Sequence, residues 1–228
     1  QLDVTDQESI TAAADLVAGE TSGRLDGLVN NAGLSVNGPL ELVSIDTVRQ
    51  LMDVNVIGLM AVTRAFLPLI RSARGRIVNI SSGHGLMAIP DKSAYAASKF
   101  AVQAISDALR VELRPFGIRV SCLAVGKVET AVLGKIVADR QAMVRSSEPE
   151  IIELYRPLIE FFDREVKDLP GIAPVEVARV VAKTLTAAKP KPHALVGPGA
   201  RKMRNLARLP AGMRDWLLAT TLYSRRAS

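Results

Sequence analysis

Residues 75 to 126 constrain the fold more tightly than any other part of the chain. Ile77-Val78-Asn79-Ile80 is a short apolar run of the kind that forms a buried strand. Ser81 and Ser82 close it, and Gly83 and Gly85 mark the loop that follows. A helical pattern runs from about Ala94 to Arg114 and is stopped by Pro115-Phe116-Gly117. Ile118 to Ala124 reads as the next strand, with the incomplete alternation expected when both faces are buried. Strand, helix and strand in that order favour a parallel pair.

The rest of the chain repeats this grammar. Gln1–Val4 reads as the end of a strand, and Thr5 with Glu8 as a capping box for a helix to about Ala18. Leu25–Asn30 reads as a strand. Ser44 is the expected N-cap of a long helix from Ile45 to Ile70, disturbed near its end by Pro68. Pro174 opens a helix to about Ala188, and His193–Val196 reads as a last strand. The prediction is a single α/β domain over residues 1–228, built on a doubly wound parallel sheet.

The chemistry concentrates in the same central stretch. Tyr95 and Lys99 stand four apart, which puts phenol and ammonium on one helix face, one turn apart. An unperturbed tyrosine, with a pKa of about 10, is a poor base at neutral pH. A nearby ammonium favours the phenolate and lowers that value. Ser82, thirteen residues earlier at a strand end, can offer a hydroxyl to the same pocket. Among three tyrosines, only Tyr95 has a lysine four residues on.

Asn30-Asn31-Ala32-Gly33 after a strand, Asn55 in a helix, Ser82, and Tyr95-x-x-x-Lys99 occur in this order over nearly the whole chain. In this the chain resembles the short-chain dehydrogenases/reductases. The resemblance implies a Rossmann-like fold, NAD or NADP as cofactor, and a catalytic set of Asn55, Ser82, Tyr95 and Lys99. It implies cofactor contacts at Asp3, Asn30, Ala32, Gly33, Tyr95, Lys99, Val128 and Thr130. Asn55 would kink its helix and hold a water that links the lysine to solvent. The helix bearing Tyr95 would build a homo-dimer or homo-tetramer interface through Ala97, Ala101, Ala104 and Ala108. Packing on its own sheet is the alternative for that face. Residues 131–172 would cover a lipophilic substrate as a lid, or form ordinary amphipathic helices. Val125 stands where the family usually has proline, which puts the rigidity of that turn in doubt. His84 reads either as a base or substrate contact, or as a passive surface histidine.

The implied reaction interconverts a secondary alcohol and a ketone, or an alcohol and an aldehyde. Residues 38 to 126 and the tail around Asp215 look closest to members acting on steroids, retinoids or 3-hydroxyacids. The glycine-rich turn that cradles a dinucleotide is absent ahead of Asp3. The expectation is therefore a chain truncated at its N-terminus, lacking the first β-α-β unit, with Leu25–Asn30 as a bare sheet edge. The rival reading is a non-catalytic fragment or association scaffold of the same fold.

Composition narrows the rest. No run of eighteen consecutive apolar residues exists. Two distant histidines and one cysteine give no legible metal site. The single Cys122 excludes an internal disulfide and fits a reducing, cytoplasmic compartment. Residues 201–228 hold seven basic residues against Asp215, while the remainder balances at 22 basic and 22 acidic. Such a tail can touch an anionic membrane or lie solvated; no nucleic-acid motif accompanies it.

Overall fold

Four parallel strands form one sheet in the order β1-β2-β3-β4: β1 (Gly27–Asn30), β2 (Arg76–Ser82), β3 (Arg119–Val125) and β4 (His193–Val196). The computed structural model describes residues 1–130, 132–168 and 171–223. Asn30 pairs with Asn79, and Ser82 with Val125, so strand ends that carry site residues lie side by side. β1 is an edge strand among the described residues, as the sequence suggested.

Helices cover both faces, which explains the apolar runs in β2 and β3. On one face Ile77 and Val120 pack with Ile10 of α1 (Gln7–Glu20) and with Val62, Phe66 and Ile70 of α3 (Leu59–Ala73). On the other, Val78, Leu123, Val125 and Val196 meet Val177, Val180, Val181 and Leu185 of α7 (Pro174–Thr186). Successive residues of a strand point to opposite faces, so Ile77 and Val78 serve different cores. The Rossmann-like reading holds.

Three sequence expectations change. Gln1–Val4 is not a strand. Its backbone turns instead, because the Asp3 carboxylate accepts from both the Thr5 N–H (2.8 Å) and the Thr5 hydroxyl (2.7 Å). The N-cap of α1 is Asp6 rather than Thr5, accepting from the Glu8 N–H at 3.0 Å. The long helix after Ser44 is divided: α2 (Ile45–Met52), a wide π turn over Asp53–Gly58, then α3. By length and hydropathy alone, Ile45–Ala73 reaches the measure of a membrane span. Its residues Leu51, Asn55, Leu59, Val62, Phe66 and Ile70 are nevertheless buried within the protein.

The region 131–172 is regular, with α5 (Val132–Ser146) and α6 (Pro149–Asp168); residues 131, 169 and 170 lie outside the described residues. The basic tail forms α8 (Pro198–Ala207) and α9 (Ala211–Tyr223). Its Arg225 and Arg226 lie outside the described residues.

Candidate active site

The C-terminal end of β2 and the first turns of α4 (Ser93–Glu112) converge. Ser82 ends β2, and its Oγ accepts from the His84 N–H at 3.2 Å, starting the tight turn Gly83–Gly85. A Cβ on Gly85 would stand 2.5 Å from Ser81 Oγ and 2.6 Å from the Lys99 carbonyl, so only glycine fits. Ser81 Oγ donates to that same carbonyl at 3.0 Å. The strand is thus stapled to the turn of α4 that bears Lys99.

Lys99 is buried, and its Nζ donates to the Ile80 carbonyl at 3.1 Å. The same Nζ lies over the Tyr95 ring, 5.9 Å from its centroid. Burial lowers the Lys99 pKa from 10.5 to about 8. Tyr95 moves opposite to expectation. Burial raises its pKa, and a hydrogen bond with the Ser82 side chain only partly offsets that. The ammonium sits over the ring rather than at the phenol oxygen, so desolvation outweighs it. The result is a phenol held protonated, a form suited to donating a proton.

Asn55 is buried in the π turn. Its Oδ1 accepts from the Leu34 N–H (2.7 Å), and its Nδ2 donates to the Leu34 carbonyl (2.9 Å) and to Ser98 Oγ (3.0 Å). Ser98 Oγ in turn donates to the Tyr95 carbonyl at 2.8 Å. The Asn55 side chain therefore positions the loop after Gly33 and the Tyr95 turn; both its amide protons are committed there. A Cβ on Gly33 would sit 3.3 Å from Asn55 Oδ1 and 3.4 Å from Lys99 Nζ, which places this exposed glycine at the mouth of the site.

His84 is not a surface histidine. Its ring meets Tyr95 edge-on at 5.9 Å, and its Nδ1 is buried without a partner. Burial first, then the Lys92 cation, lowers its pKa from 6.5 to about 3, so it is neutral near pH 7.

Both amide protons of Asn30 are used inside the protein, on Thr63 Oγ1 (2.9 Å) and Asn79 Oδ1 (2.8 Å). Through them its side chain knits β1 to β2 and α3. Ala32 is exposed beside Gly33. Asp3 is exposed, and the structure ties it to Thr5 and Ser9. Val128 bridges to Ile172, while Thr130 is exposed beyond it. The turn that lacks proline is held by backbone bonds instead: Gly126 N–H to the Val196 carbonyl (2.9 Å), and Glu129 N–H to the Ile172 carbonyl (3.0 Å).

Sequence reasoning missed several supports. Asn79 Nδ2 donates to Ser106 Oγ at 2.9 Å, extending the Asn30 bond into a buried polar ladder from β1 to α4. Its signal was a lone asparagine in an apolar run. Arg140 of α5 donates from Nη1 to both oxygens of buried Asp91 at 2.6 Å, and from Nε to Asp163 at 2.8 Å. That pair joins the 131–172 region to the loop leading into α4. No local pattern announces it, because the partners lie 49 residues apart.

A model of the short chain dehydrogenase family matches residues 1–141. The chain belongs to the short-chain dehydrogenase family. It is 35% identical to a 3-amino-tetrahydro-pyrrolizinone reductase of Xenorhabdus hominickii, over 92% of this chain and 74% of that one. It is 37% identical to human 17-beta-hydroxysteroid dehydrogenase type 1, over 83% of this chain and 57% of the relative. It is 36% identical to the mitochondrial D-beta-hydroxybutyrate dehydrogenase of Rattus norvegicus, over 83% and 59%. The last two comparisons reach less than two thirds of the relatives' own length. A short-chain dehydrogenase from Streptomyces avermitilis superposes with a TM-score of 0.74 at 30% identity, covering 100% of this chain and 79% of that one. One from Burkholderia cenocepacia, in complex with NADP, gives 0.69 at 25% identity, covering 98% and 79%. Short-chain dehydrogenases are NAD(P)-dependent oxidoreductases.

The residues present fit the nicotinamide end of such a cofactor. Lys99 Nζ has three donors and one described hydrogen bond, and Gly33 leaves space beside it. At the other end, Asn30 spends both amide protons inside the protein, and no G-x-G-x-x-G occurs in residues 1–228.

Proposed function

We propose that the complete protein interconverts a secondary alcohol and a ketone, or an alcohol and an aldehyde, on a lipophilic substrate. A steroid, retinoid or hydroxyacid is the proposed substrate class, with NAD or NADP as cofactor. The convergence of Ser82, Tyr95 and buried Lys99 carries this reading. Tyr95 gives its phenolic proton to the substrate oxygen in reduction, or takes it in oxidation. Ser82 holds that oxygen by hydrogen bond, stabilising charge as it develops. Lys99 holds the nicotinamide ribose with its unspent donors. When bound, the nicotinamide supplies or accepts the hydride. Asn55 fixes the Leu34 backbone and the Tyr95 turn, and a relay of protons from Lys99 is proposed to pass beside it. Val128 and Thr130 are proposed to line the nicotinamide side.

Residues 131–172 are proposed as the substrate lid of a single Rossmann-like domain. Leu158 and Phe162 of this region are buried with Leu222, and Tyr155 and Phe161 pack against that cluster, so its apolar content supports the reading. A homo-oligomer is proposed through α4, whose Ala97, Phe100, Ala104, Ala108 and Val111 face outward while Val102, Gln103 and Ser106 face the sheet. That outward face also favours the second reading, an association scaffold. A reducing, cytoplasmic location with contact at a membrane surface completes the proposal.

Calorimetric titration of NAD(H) and NADP(H) separates the two readings. It is to be run on residues 1–228 and on the complete product of the gene. Saturable binding to the complete product supports the dehydrogenase reading. Binding of neither cofactor overturns it and favours the scaffold.

A further inference from the structure

The C-terminal helices present two solvent faces of different chemistry. Arg201 and Arg204 of α8 and its C-cap Arg208 follow helical spacing and are exposed, as is Lys202. On α9, Met213, Trp216, Leu217 and Tyr223 occupy one stripe at spacings of three, four and ten. Trp216 is 66% exposed, Met213 53% and Tyr223 52%, although the opposite side of α9 is buried through Leu222 against Leu158 and Phe162 of α6. A stripe of four large apolar side chains in water is unusual, since a helix in a globular protein turns its apolar side inward. Here α9 has one apolar face inside and a second outside. Only Asp215 is acidic between residues 198 and 223.

We propose that the consecutive helices α8 and α9 dock on an anionic lipid bilayer, with the Trp216 stripe entering the interface and the cations of α8 and its C-cap on the headgroups. Tryptophan and tyrosine suit the membrane–water boundary, being apolar in body and polar at the tip. Arginine and lysine beside an apolar face mark interfacial helices attracted to anionic lipid. Charge selects this occupant over a second copy of the chain. A two-fold contact would set the α8 cations of one copy near those of the other, and like charges oppose it. The inference gives residues to the membrane contact proposed above, and does not depend on the dehydrogenase reading.

Trp216 is the only tryptophan in the chain, so it reports on its own docking. The chain is titrated with phosphatidylcholine vesicles, with and without phosphatidylserine, at low and high salt. Trp216 emission and co-sedimentation are followed together. The expected result is a blue shift and sedimentation with the anionic vesicles, weakened by salt and by omission of phosphatidylserine. Leu217→Ser keeps the probe and should weaken binding on the order of tenfold. Arg204→Gln with Arg208→Gln should weaken it several-fold at low salt only. Tyr95→Phe should bind vesicles like the parent chain, which separates this claim from the catalytic one. Absence of sedimentation at low salt overturns the proposal. So does sedimentation with unshifted Trp216 emission. A blue shift that tracks protein concentration without vesicles also overturns it, and assigns the face to a second copy.

Discussion

The Asn55 side chain grips the Leu34 backbone in both directions, accepting its N–H at 2.7 Å and donating to its carbonyl at 2.9 Å. The remaining amide proton goes to Ser98, whose hydroxyl supports the Tyr95 carbonyl. One side chain in a π turn thus couples the loop after Gly33 to the Tyr95 turn of α4. π turns inside helices occur often at functional sites.

Asn55→Ala removes all three bonds and leaves the Leu34 N–H unpaired. An unsatisfied buried group costs about 1–3 kcal/mol. Urea unfolding should show a loss of that size, and hydrogen exchange should show the Leu34 amide opening faster. Unchanged protection at Leu34 would contradict the role given to Asn55.

Arg140 and Asp91 are both buried, with side chains 6% and 1% exposed, whereas Asp163 is 53% exposed. Removing one partner of a buried pair costs about 3–5 kcal/mol, because the other charge is left uncompensated. An exposed pair contributes only about 0–1 kcal/mol. Arg140→Ala should therefore lower stability far more than Asp163→Ala, by denaturant unfolding of both variants. Equal losses would show that Asp91 is not the partner that matters.

His84 gives the fold a proton-linked weakness in acid. Its pKa is about 3 when folded, against 6.5 ordinarily. Between those values the unfolded chain binds the proton and the folded one does not, so stability falls as pH drops from 6.5 toward 3. His84→Phe keeps an aromatic edge on Tyr95 and removes the titration. The melting temperature of the variant should fall less steeply over this range than that of the parent. Parallel curves would show that His84 is not the responsible group.

The fold was legible where chemistry is local. The Ile77–Ile80 run, the glycines after Ser82 and the Pro115-Gly117 stop each act within a few residues, so β2, α4 and β3 fell where the sequence placed them. Tyr95 and Lys99 were legible because four-residue spacing on a helix fixes their neighbourhood. What failed depended on competition or distance. Gln1–Val4 became a turn because the Asp3 carboxylate captures the Thr5 amide. The structural part of Asn30 was not legible, because Thr63 and Asn79 claim its amide from distant elements. The Tyr95 pKa went up because burial, invisible in spacing, outweighs an ammonium that lies over the ring. Arg140 and Asp91 meet only after α5 has folded back on the loop before α4.

Tyr95→Phe tests the central claim most directly. The variant removes one oxygen and keeps the ring against His84 and Lys99. Loss of a positioned acid or base lowers turnover by about 10²–10⁴-fold. Carbonyl reduction by the complete protein, followed at the nicotinamide absorbance, should fall by that factor while cofactor affinity and melting temperature stay unchanged. Turnover within a few-fold of the parent would contradict the assignment of Tyr95 as the proton donor.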